Sequence, residues 1–307
     1  MNKIQIIVNN GAGTGSAVAV WKETKEYLQE NEISYNAYLT RYEKHAVKLA
    51  GQICGKIPEG PIYLLVVGGD GTINEVLNGI TDFDRVRLGV IPTGSGNDFA
   101  RNLGILRNTR EDLREITACI GQEQNGEKLQ RIDLGKVSWE GCEKPRIFGI
   151  SAGAGLDAIV CKKALHSKLK KILNRFHLGK LTYLMLTVQT LFSMRTFQAN
   201  VTTDGETESY ENMIFAAAMN LRAEGGGVPM APESVPDDGK ISLSSASGIP
   251  KWKTFFLLPL LLIFPYLFGI DGVMYTAPIA DLAAASVSIV MVVREFKIMA
   301  ELQKATA

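Results

Sequence analysis

The sequence is short of cysteine, of net charge and of long unbroken apolar runs, and each shortage removes a class of protein. Its 307 residues hold four cysteines, Cys54, Cys119, Cys142 and Cys161. They form no Cys-x-x-Cys pair and no Cys/His metal spacing, so reduced thiols in a cytoplasmic protein are expected. The 33 basic and 32 acidic side chains leave a net charge of only +1, which argues against a dedicated nucleic-acid partner. Met1 to Val8 is too short an apolar run for a secretory signal. The most apolar stretch, Trp252 to Ile270, is interrupted by Lys253, Pro259, Pro265 and Gly269. It barely reaches the ~20 residues of a spanning helix, so a buried or interfacial helix is expected there. A composition of 46% hydrophobic and 21% charged residues fits neither a disordered tail nor a collagen-like repeat.

What is present is alternation. Ile4–Val8 reads as a buried strand that runs into a glycine-rich loop, Asn9 to Ser16, and then into a helical pattern carried by Val18, Trp21, Tyr27 and Leu28. Strands are expected at 34–39, 62–67 and 87–91, with helices at 43–54, 72–79 and from Phe99. Strand and helix in turn mean βαβ units and a parallel sheet. After the polar stretch Gln122–Gln130 the pattern changes to short strand-like runs at 131–139, 146–151, 198–203, 212–219, 240–244 and 286–293. A helical block around 158–197 interrupts them. The expectation is an α/β domain over residues 1–125, followed by a mainly β domain with helical insertions over 126–307.

Two glycine loops carry the chemistry. Gly68-Gly69-Asp70-Gly71-Thr72-Ile73-Asn74-Glu75 closes a buried strand and opens a helix, which is where parallel sheets bind phosphate. Glycines let backbone N–H groups approach an anion, and the helix N-terminus adds partial positive charge. A carboxylate at Asp70 would repel polyphosphate unless it binds Mg²⁺ or takes a proton from an acceptor hydroxyl. A tight turn in which Asp70 caps a helix is the plainer reading. Pro92-Thr93-Gly94-Ser95-Gly96-Asn97-Asp98-Phe99-Ala100-Arg101 repeats the arrangement at the next strand end, with Asn97 and Asp98 as helix caps or as site residues. The loop around Asn9, Gly11 and Gly13 fits neither GxGxxG nor GxxxxGK[ST].

These motifs, taken in order with Arg131-Ile132-Asp133-Leu134-Gly135, Gly149–Ala158 and Gly225-Gly226-Gly227 through Asp238-Gly239, resemble the soluble bacterial diacylglycerol kinase family, related to sphingosine and ceramide kinases. The resemblance implies an α/β nucleotide domain of the NAD-kinase and phosphofructokinase kind, followed by a β-sandwich. It implies a lipid kinase using ATP and Mg²⁺ on diacylglycerol or a similar acceptor at the membrane surface, with Asp70 as the catalytic residue. By matching position, Asn9, Thr40, Gly68, Gly69, Asp70, Gly71, Thr72, Ile73, Asn74, Ser95, Asn97 and Asp98 would contact ATP. The Asp238-Gly239 turn resembles the family's structural metal site, with Val235, Asp238 and Lys240 as ligands; an ordinary β-turn is the alternative. A cytoplasmic protein, peripheral at the inner membrane face, follows from the same likeness, and a homodimer is compatible with it.

The sequence departs from that family near its end. No Asp-Gly-Glu follows the apolar stretch; Asp204-Gly205-Glu206 comes too early and reads as a hairpin turn, and Asp271-Gly272-Val273 lacks the Glu. The tail from about residue 275 reads as helical and altered, without the family's usual general base. A catalytically impaired nucleotide- or lipid-binding protein and an NAD-kinase-like small-molecule kinase therefore remain alternatives. One further feature is basic: between Asp157 and Asp204 there is no acidic residue, while Lys162, Lys163, Lys168, Lys170, Lys171, Arg175, Lys180 and Arg195 accumulate. A solvated helix face or attraction to an anionic membrane or phosphorylated ligand would each account for it.

Overall fold

The computed structural model describes residues 3–12, 16–105, 108–122, 129–166, 179–255 and, beyond these, 260, 264, 275–276, 278–283, 285–286, 289, 292 and 294. Most of the basic block at 167–178, Gly13 and most of the apolar stretch 256–274 lie outside the described residues. The chain divides into two compact units. Unit 1 comprises residues 1–153, 162–183 and 217–244, and unit 2 comprises 154–161, 184–216 and 245–307.

Unit 1 is built on four parallel strands, β1 (Ile4–Val8), β2 (Tyr35–Leu39), β3 (Ile62–Gly68) and β4 (Val86–Pro92), in the order β2-β1-β3-β4. Both faces of this sheet are covered, and for that reason the strands are nearly continuously apolar. Ile4, Ile6, Val8, Leu65, Val67 and Ile91 pack with Trp21 and Leu28 of α1 (Ser16–Glu30) and Leu113 of α5 (Thr109–Gln122). On the other face Ile7, Leu64, Val66 and Val90 pack with Leu49 and Ile53 of α2 (His45–Lys56) and with Ile73, Val76 and Leu77 of α3 (Asp70–Leu77). Each such side chain taken from water contributes roughly 1.5–3 kcal/mol. Gln5, the polar exception in β1, is buried but satisfied: its Oε1 accepts from Asn36 and from the Tyr38 hydroxyl, both at 3.2 Å.

The helix expected from Phe99 is two helices. α4 (Asp98–Asn102) stops where Gly104 takes φ +73°. The Gly104 and Ile105 N–H groups close back onto the Arg101 and Ala100 carbonyls at 3.2 and 2.8 Å, a Schellman-type ending. α5 then starts under its own cap, with Asn108 Oδ1 accepting the Glu111 N–H at 2.9 Å.

The expected strand at 131–139 shrinks to β5 (Gly135–Val137), paired antiparallel with β6 (Arg146–Phe148). The run 146–151 holds two strands, β6 and β7 (Ser151–Gly155). In the same way 212–219 is divided between β9 (Glu206–Met213) and β10 (Phe215–Met219), with Asn212 at φ +52° marking the irregularity. β8 (Phe197–Thr203) and β9 form a hairpin through Asp204 and Gly205, both at positive φ, the turn expected from the sequence. β11 (Ala223–Glu224) and β12 (Val228–Pro229) make a small hairpin around three glycines at positive φ. β13 (Ser242–Ala246) lies beside β10, which also pairs with β7.

Unit 2 carries, besides β8 and β9, α6 (Leu156–His166) up to Cys161 and α7 (Gly179–Ser193) from Leu184. Where a strand was expected at 286–293, the described residues 286, 289 and 292 are helical. The alternating Ser and Val pattern is overridden by the alanine-rich approach at 280–285, a strong helix former, and the Ser286 hydroxyl bonds back to the Leu282 carbonyl at 2.8 Å. Among the described residues no helix is long and apolar enough to cross a membrane.

α2 and α3 meet at Gly79, just past the end of α3, where a Cβ would stand 2.2 Å from the Val47 carbonyl oxygen and 2.8 Å from Ala50 Cβ. Gly79→Ala should therefore destabilise unit 1 by about 1–3 kcal/mol, as overpacking does. Urea unfolding measures this; an unchanged midpoint would show that the helices part freely.

Candidate functional site

All four parallel strands end at one edge of unit 1, and the strand order reverses between β1 and β3. Loops at such a point form the ligand crevice of open α/β sheets. β1 and β3 lie side by side here, with the Asn9 N–H donating to the Val67 carbonyl at 2.9 Å and Asn9 Nδ2 reaching the Thr72 hydroxyl at 2.9 Å. Thr40, at the end of β2, donates its N–H to the Val8 carbonyl at 2.9 Å.

The two glycine loops are pressed together. β3 and β4 run parallel with Gly68 opposite Pro92, and the Thr93 N–H donates to the Gly68 carbonyl at 3.0 Å. A Cβ on Gly69 would stand 2.9 Å from Gly94 Cα, and one on Gly94 would stand 2.8 Å from Gly69 Cα. Only paired glycines allow this approach. Asn97, at φ +54°, turns its Oδ1 back to accept the Gly94 N–H at 2.7 Å.

Asp70 fastens the loops. Its Oδ2 accepts the Asp98 N–H at 3.1 Å and its Oδ1 the Phe99 N–H at 3.0 Å, so the first residue of α3 caps α4. No side chain caps α3 itself, which leaves its positive end addressed to whatever occupies the crevice. Asp98 continues the relay: its carboxylate, 7% exposed, accepts the Gly226 N–H at 3.0 and 2.9 Å. Burial pushes the Asp98 carboxyl above the usual range, the Gly226 N–H opposes that, and the nearby Asp70 charge adds to it. Asn102 completes the clamp on the β11–β12 hairpin, exchanging bonds with the Ala223 N–H and carbonyl at 3.0 and 2.8 Å.

The remaining sequence candidates have distinct placements. Gly71 and Ser95 are exposed on the two loops. Ile73 is a core residue, 2% exposed. Asn74 donates to the Ile147 carbonyl of β6 at 3.2 Å. Asp238 Oδ1 accepts the Lys240 N–H at 2.9 Å, a closed turn, and Asp133 Oδ2 accepts the Gly239 N–H at 2.6 Å. Val235, Asp238 and Lys240 are all exposed. Among the described residues no three His, Cys, Asp or Glu side chains gather as a metal cluster.

Several residues were not singled out as site residues. Glu75 caps α2 from α3, accepting the Lys44 and Ala46 N–H groups at 3.0 and 3.2 Å. Asn220, fully buried, donates to the Asp133 and Gly149 carbonyls at 2.7 and 3.0 Å. Asp133 lay inside a recognised motif, and Asn220 ends an otherwise apolar strand run, which was the available signal.

The crevice suits a nucleotide's phosphates. Its loops are glycine-lined, the α3 terminus is uncapped, and two buried polar atoms of this edge, Asn10 Oδ1 and Thr93 Oγ1, have no partner among the described residues. The oxygen donors of Asp133 and Asp238 suit a hard cation such as Mg²⁺, provided carbonyls and water complete the shell.

Residues 3–137 match the diacylglycerol kinase catalytic domain family, and residues 150–263 match the YegS C-terminal NAD kinase beta sandwich-like domain family. "Putative lipid kinase YtlR" of Bacillus subtilis is 28% identical over 258 residues, 83% of this chain and 81% of its own length. The "Diacylglycerol kinase" of the same organism is 33% identical over 204 residues, 65% of this chain and 61% of that protein. Among solved structures, "A putative diacylglycerol kinase from Bacillus anthracis str. Sterne" is 26% identical with a TM-score of 0.59, covering 80% of this chain and 76% of that one. The chain is thus an N-terminal parallel-sheet α/β domain followed by a β-sandwich-like domain.

Because its folded-state pKa is raised, Asp98 favours the fold below the unfolded carboxylate range, and that contribution is lost as pH rises through the folded value. Asp98→Asn removes this titration, so the variant should gain stability relative to the parent as pH rises from the ordinary carboxylate range through the folded value. Urea unfolding across that range measures it; a difference independent of pH would count against the buried ionisation.

Proposed function

Since the chain belongs to the family of bacterial diacylglycerol kinases and related lipid kinases, we propose that it transfers the γ-phosphoryl group of ATP, with Mg²⁺, to a hydroxyl of diacylglycerol or a similar lipid. The observation that carries this reading is the pair of abutting glycine loops at Gly69 and Gly94, beside the uncapped N-terminus of α3. Phosphoryl transfer asks the protein chiefly for positioning and charge stabilisation, and backbone N–H groups at that terminus supply both. The acceptor oxygen forms a bond to the γ-phosphorus as the bond to the β,γ-bridging oxygen breaks, and ADP leaves. The hydroxyl proton passes to a carboxylate or to solvent. Asp70 can take it, since each of its oxygens accepts one N–H and keeps a second lone pair. Mg²⁺ would neutralise the polyphosphate, and a structural ion would rest on Asp238 and Asp133, with the Val235 and Lys240 carbonyls. The protein would work in the cytoplasm, at the inner membrane face where its substrate resides.

A second reading has one specific observation behind it. No Asp-Gly-Glu occurs within residues 207–307, which favours a nucleotide- and lipid-binding protein of low turnover.

The test is label transfer from γ-labelled ATP into diacylglycerol in mixed micelles, with NAD as a soluble control acceptor. Labelled phosphatidic acid is expected, and Asp70→Ala should lower the rate by on the order of 100-fold, the cost of misplacing reacting groups. ATP binding without transfer would favour the second reading, and labelled NAD would overturn the lipid one. A separate measurement addresses the structural ion: Mg²⁺ should raise the thermal midpoint of the parent and leave Asp238→Ala unchanged. An equal rise in both would remove Asp238 from the ion's shell.

A further inference from the structure

Arg101 closes the second glycine-loop motif, and its side chain has no part in the bonds that fasten α4. From the fourth position of that helix it turns back to the loop, where Nη2 donates to the Gly96 carbonyl at 3.2 Å. Its stem crosses the turn of the β11–β12 hairpin. Gly227, at φ +97°, leaves the space for it: a Cβ there would stand 3.1 Å from Arg101 Cδ and 3.3 Å from Nε. Loop and hairpin thus set the direction of the guanidinium, and the residue remains exposed. Every residue in this contact belongs to unit 1.

Its partners are fewer than its surroundings offer. The carboxylates of Asp70 and Asp98 border the same Gly96. Arg101 forms no ion pair with either, and the Gly96 carbonyl is its one hydrogen-bond partner among the described residues. The two carboxylates are already engaged with backbone N–H groups. Other arginines of unit 1 are used more fully: Arg110 closes its fork on Glu30 at 2.8 and 3.1 Å, and Arg85 reaches the Gly60 and Ile57 carbonyls at 2.9 and 2.7 Å. Most donors of the Arg101 guanidinium therefore remain open, on a stem whose rotamers packing has already restricted. Such a planar fork matches the oxygens of a phosphate in pairs. Position says which phosphate. The strand ends stand in the order β2-β1-β3-β4, α3 begins at the end of β3, and Arg101 leans on the loop after the edge strand β4. A polyphosphate seated on the uncapped α3 terminus and running outward along that row would meet Arg101 at its end.

We propose that Arg101 is a catalytic residue, whose guanidinium grips the outermost phosphate of the bound polyphosphate and stabilises the charge that spreads over it during transfer. As the acceptor oxygen bonds to that phosphorus, the bond to the bridging oxygen breaks and its electron pair leaves with ADP. The acceptor proton goes to a carboxylate or to solvent, and Arg101 keeps its own. The proposal deepens the kinase reading by naming the group that meets the transferred phosphoryl, and rests on that reading for the transfer but not for the grip.

The experiment is calorimetric binding of ADP and of the β,γ-imido analogue of ATP, each with Mg²⁺, to the full chain as parent, Arg101→Ala and Arg101→Lys. A parallel assay follows label transfer from γ-labelled ATP to diacylglycerol in mixed micelles, with and without added guanidinium. Affinity for the analogue should fall about tenfold or more in Arg101→Ala and less in Arg101→Lys, which keeps the charge and loses the fork. Affinity for ADP should stay within about twofold, because ADP lacks the gripped phosphate. In Arg101→Ala kcat should fall by on the order of 100-fold or more. Added guanidinium should restore part of it, a recovery that the loss of a mere brace between loop and hairpin would not show. The side chain is exposed, so urea midpoints should match the parent; if Arg101→Ala unfolds, Arg101→Lys carries the comparison. Undiminished affinity for the analogue overturns the proposal, as does an equal loss for ADP and analogue, which would make Arg101 a structural brace. A parent that binds neither nucleotide overturns it together with the kinase reading. Selective loss of the analogue supports the grip even where the parent transfers nothing to lipid, an outcome in which the lipid-kinase reading alone fails.

Discussion

The site depends on one contact, the backbone approach of Gly69 to Gly94. β3 and β4 are parallel and paired to their ends, so the loops that leave them emerge side by side and have no room for a Cβ between them. What keeps them there is Asp70, which spends both oxygens on the first N–H groups of α4. Bonds of this charge-assisted kind contribute about 1.5–3 kcal/mol each. A short helix of five residues such as α4 has little stability of its own, and it holds its position because both of its ends are fastened. Asp70 grips its start, and the Asn102–Ala223 exchange and the Asp98–Gly226 bonds hold it to the hairpin beyond. The hairpin residues lie more than a hundred positions along the chain, yet they belong to the same compact unit.

This arrangement has an electrostatic cost. A Cβ on Gly96 would stand 3.1 Å from Asp98 Oδ2 and 3.3 Å from Asp70 Oδ2, so the two carboxylates border the same small space. Their repulsion is one reason the Asp98 carboxyl titrates high, after burial itself. Under the proposed function, a polyphosphate approaching the loops would meet the positive terminus of α3 and these two negative groups together. A cation arriving with the anion would resolve the conflict, offsetting the carboxylates while the backbone N–H groups receive the phosphate.

Much of unit 1 was legible in the residues, because its strands are apolar on both faces and its loops are punctuated by glycine. β3 is marked by a continuous apolar run, β1 by one broken only at Gln5, and the Asp204–Gly205 turn by its residue types. The locations of the two glycine loops were legible for the same reason. The partners of their side chains were not. That Asp70 caps a helix other than its own, that Glu75 reaches back to α2 and that Asn220 bridges Asp133 and Gly149 are consequences of tertiary placement, and no local spacing encodes them. Ser286–Val293 misled for a different reason. Its alternation is a genuine strand pattern, but a pattern of period two decides structure only where a sheet edge is there to receive it. The alanines before it continue a helix that already buries Thr276 and Ala280.

The geometry also limits what Asp70 can be. A general base has a lone pair aimed at the proton it removes, whereas each oxygen of Asp70 has one lone pair directed into α4. Its second lone pairs remain for the crevice, so the residue can position and accept at once, but the two roles are mechanically linked. Any displacement of the carboxylate toward a substrate loosens α4, and with it the Asn97–Gly94 bond that shapes the second loop. The demand on this carboxylate is therefore rigidity. Glycines on either side supply it by letting the backbones touch, and the buried Asp98 supplies it from behind by anchoring α4 to the Gly226 hairpin.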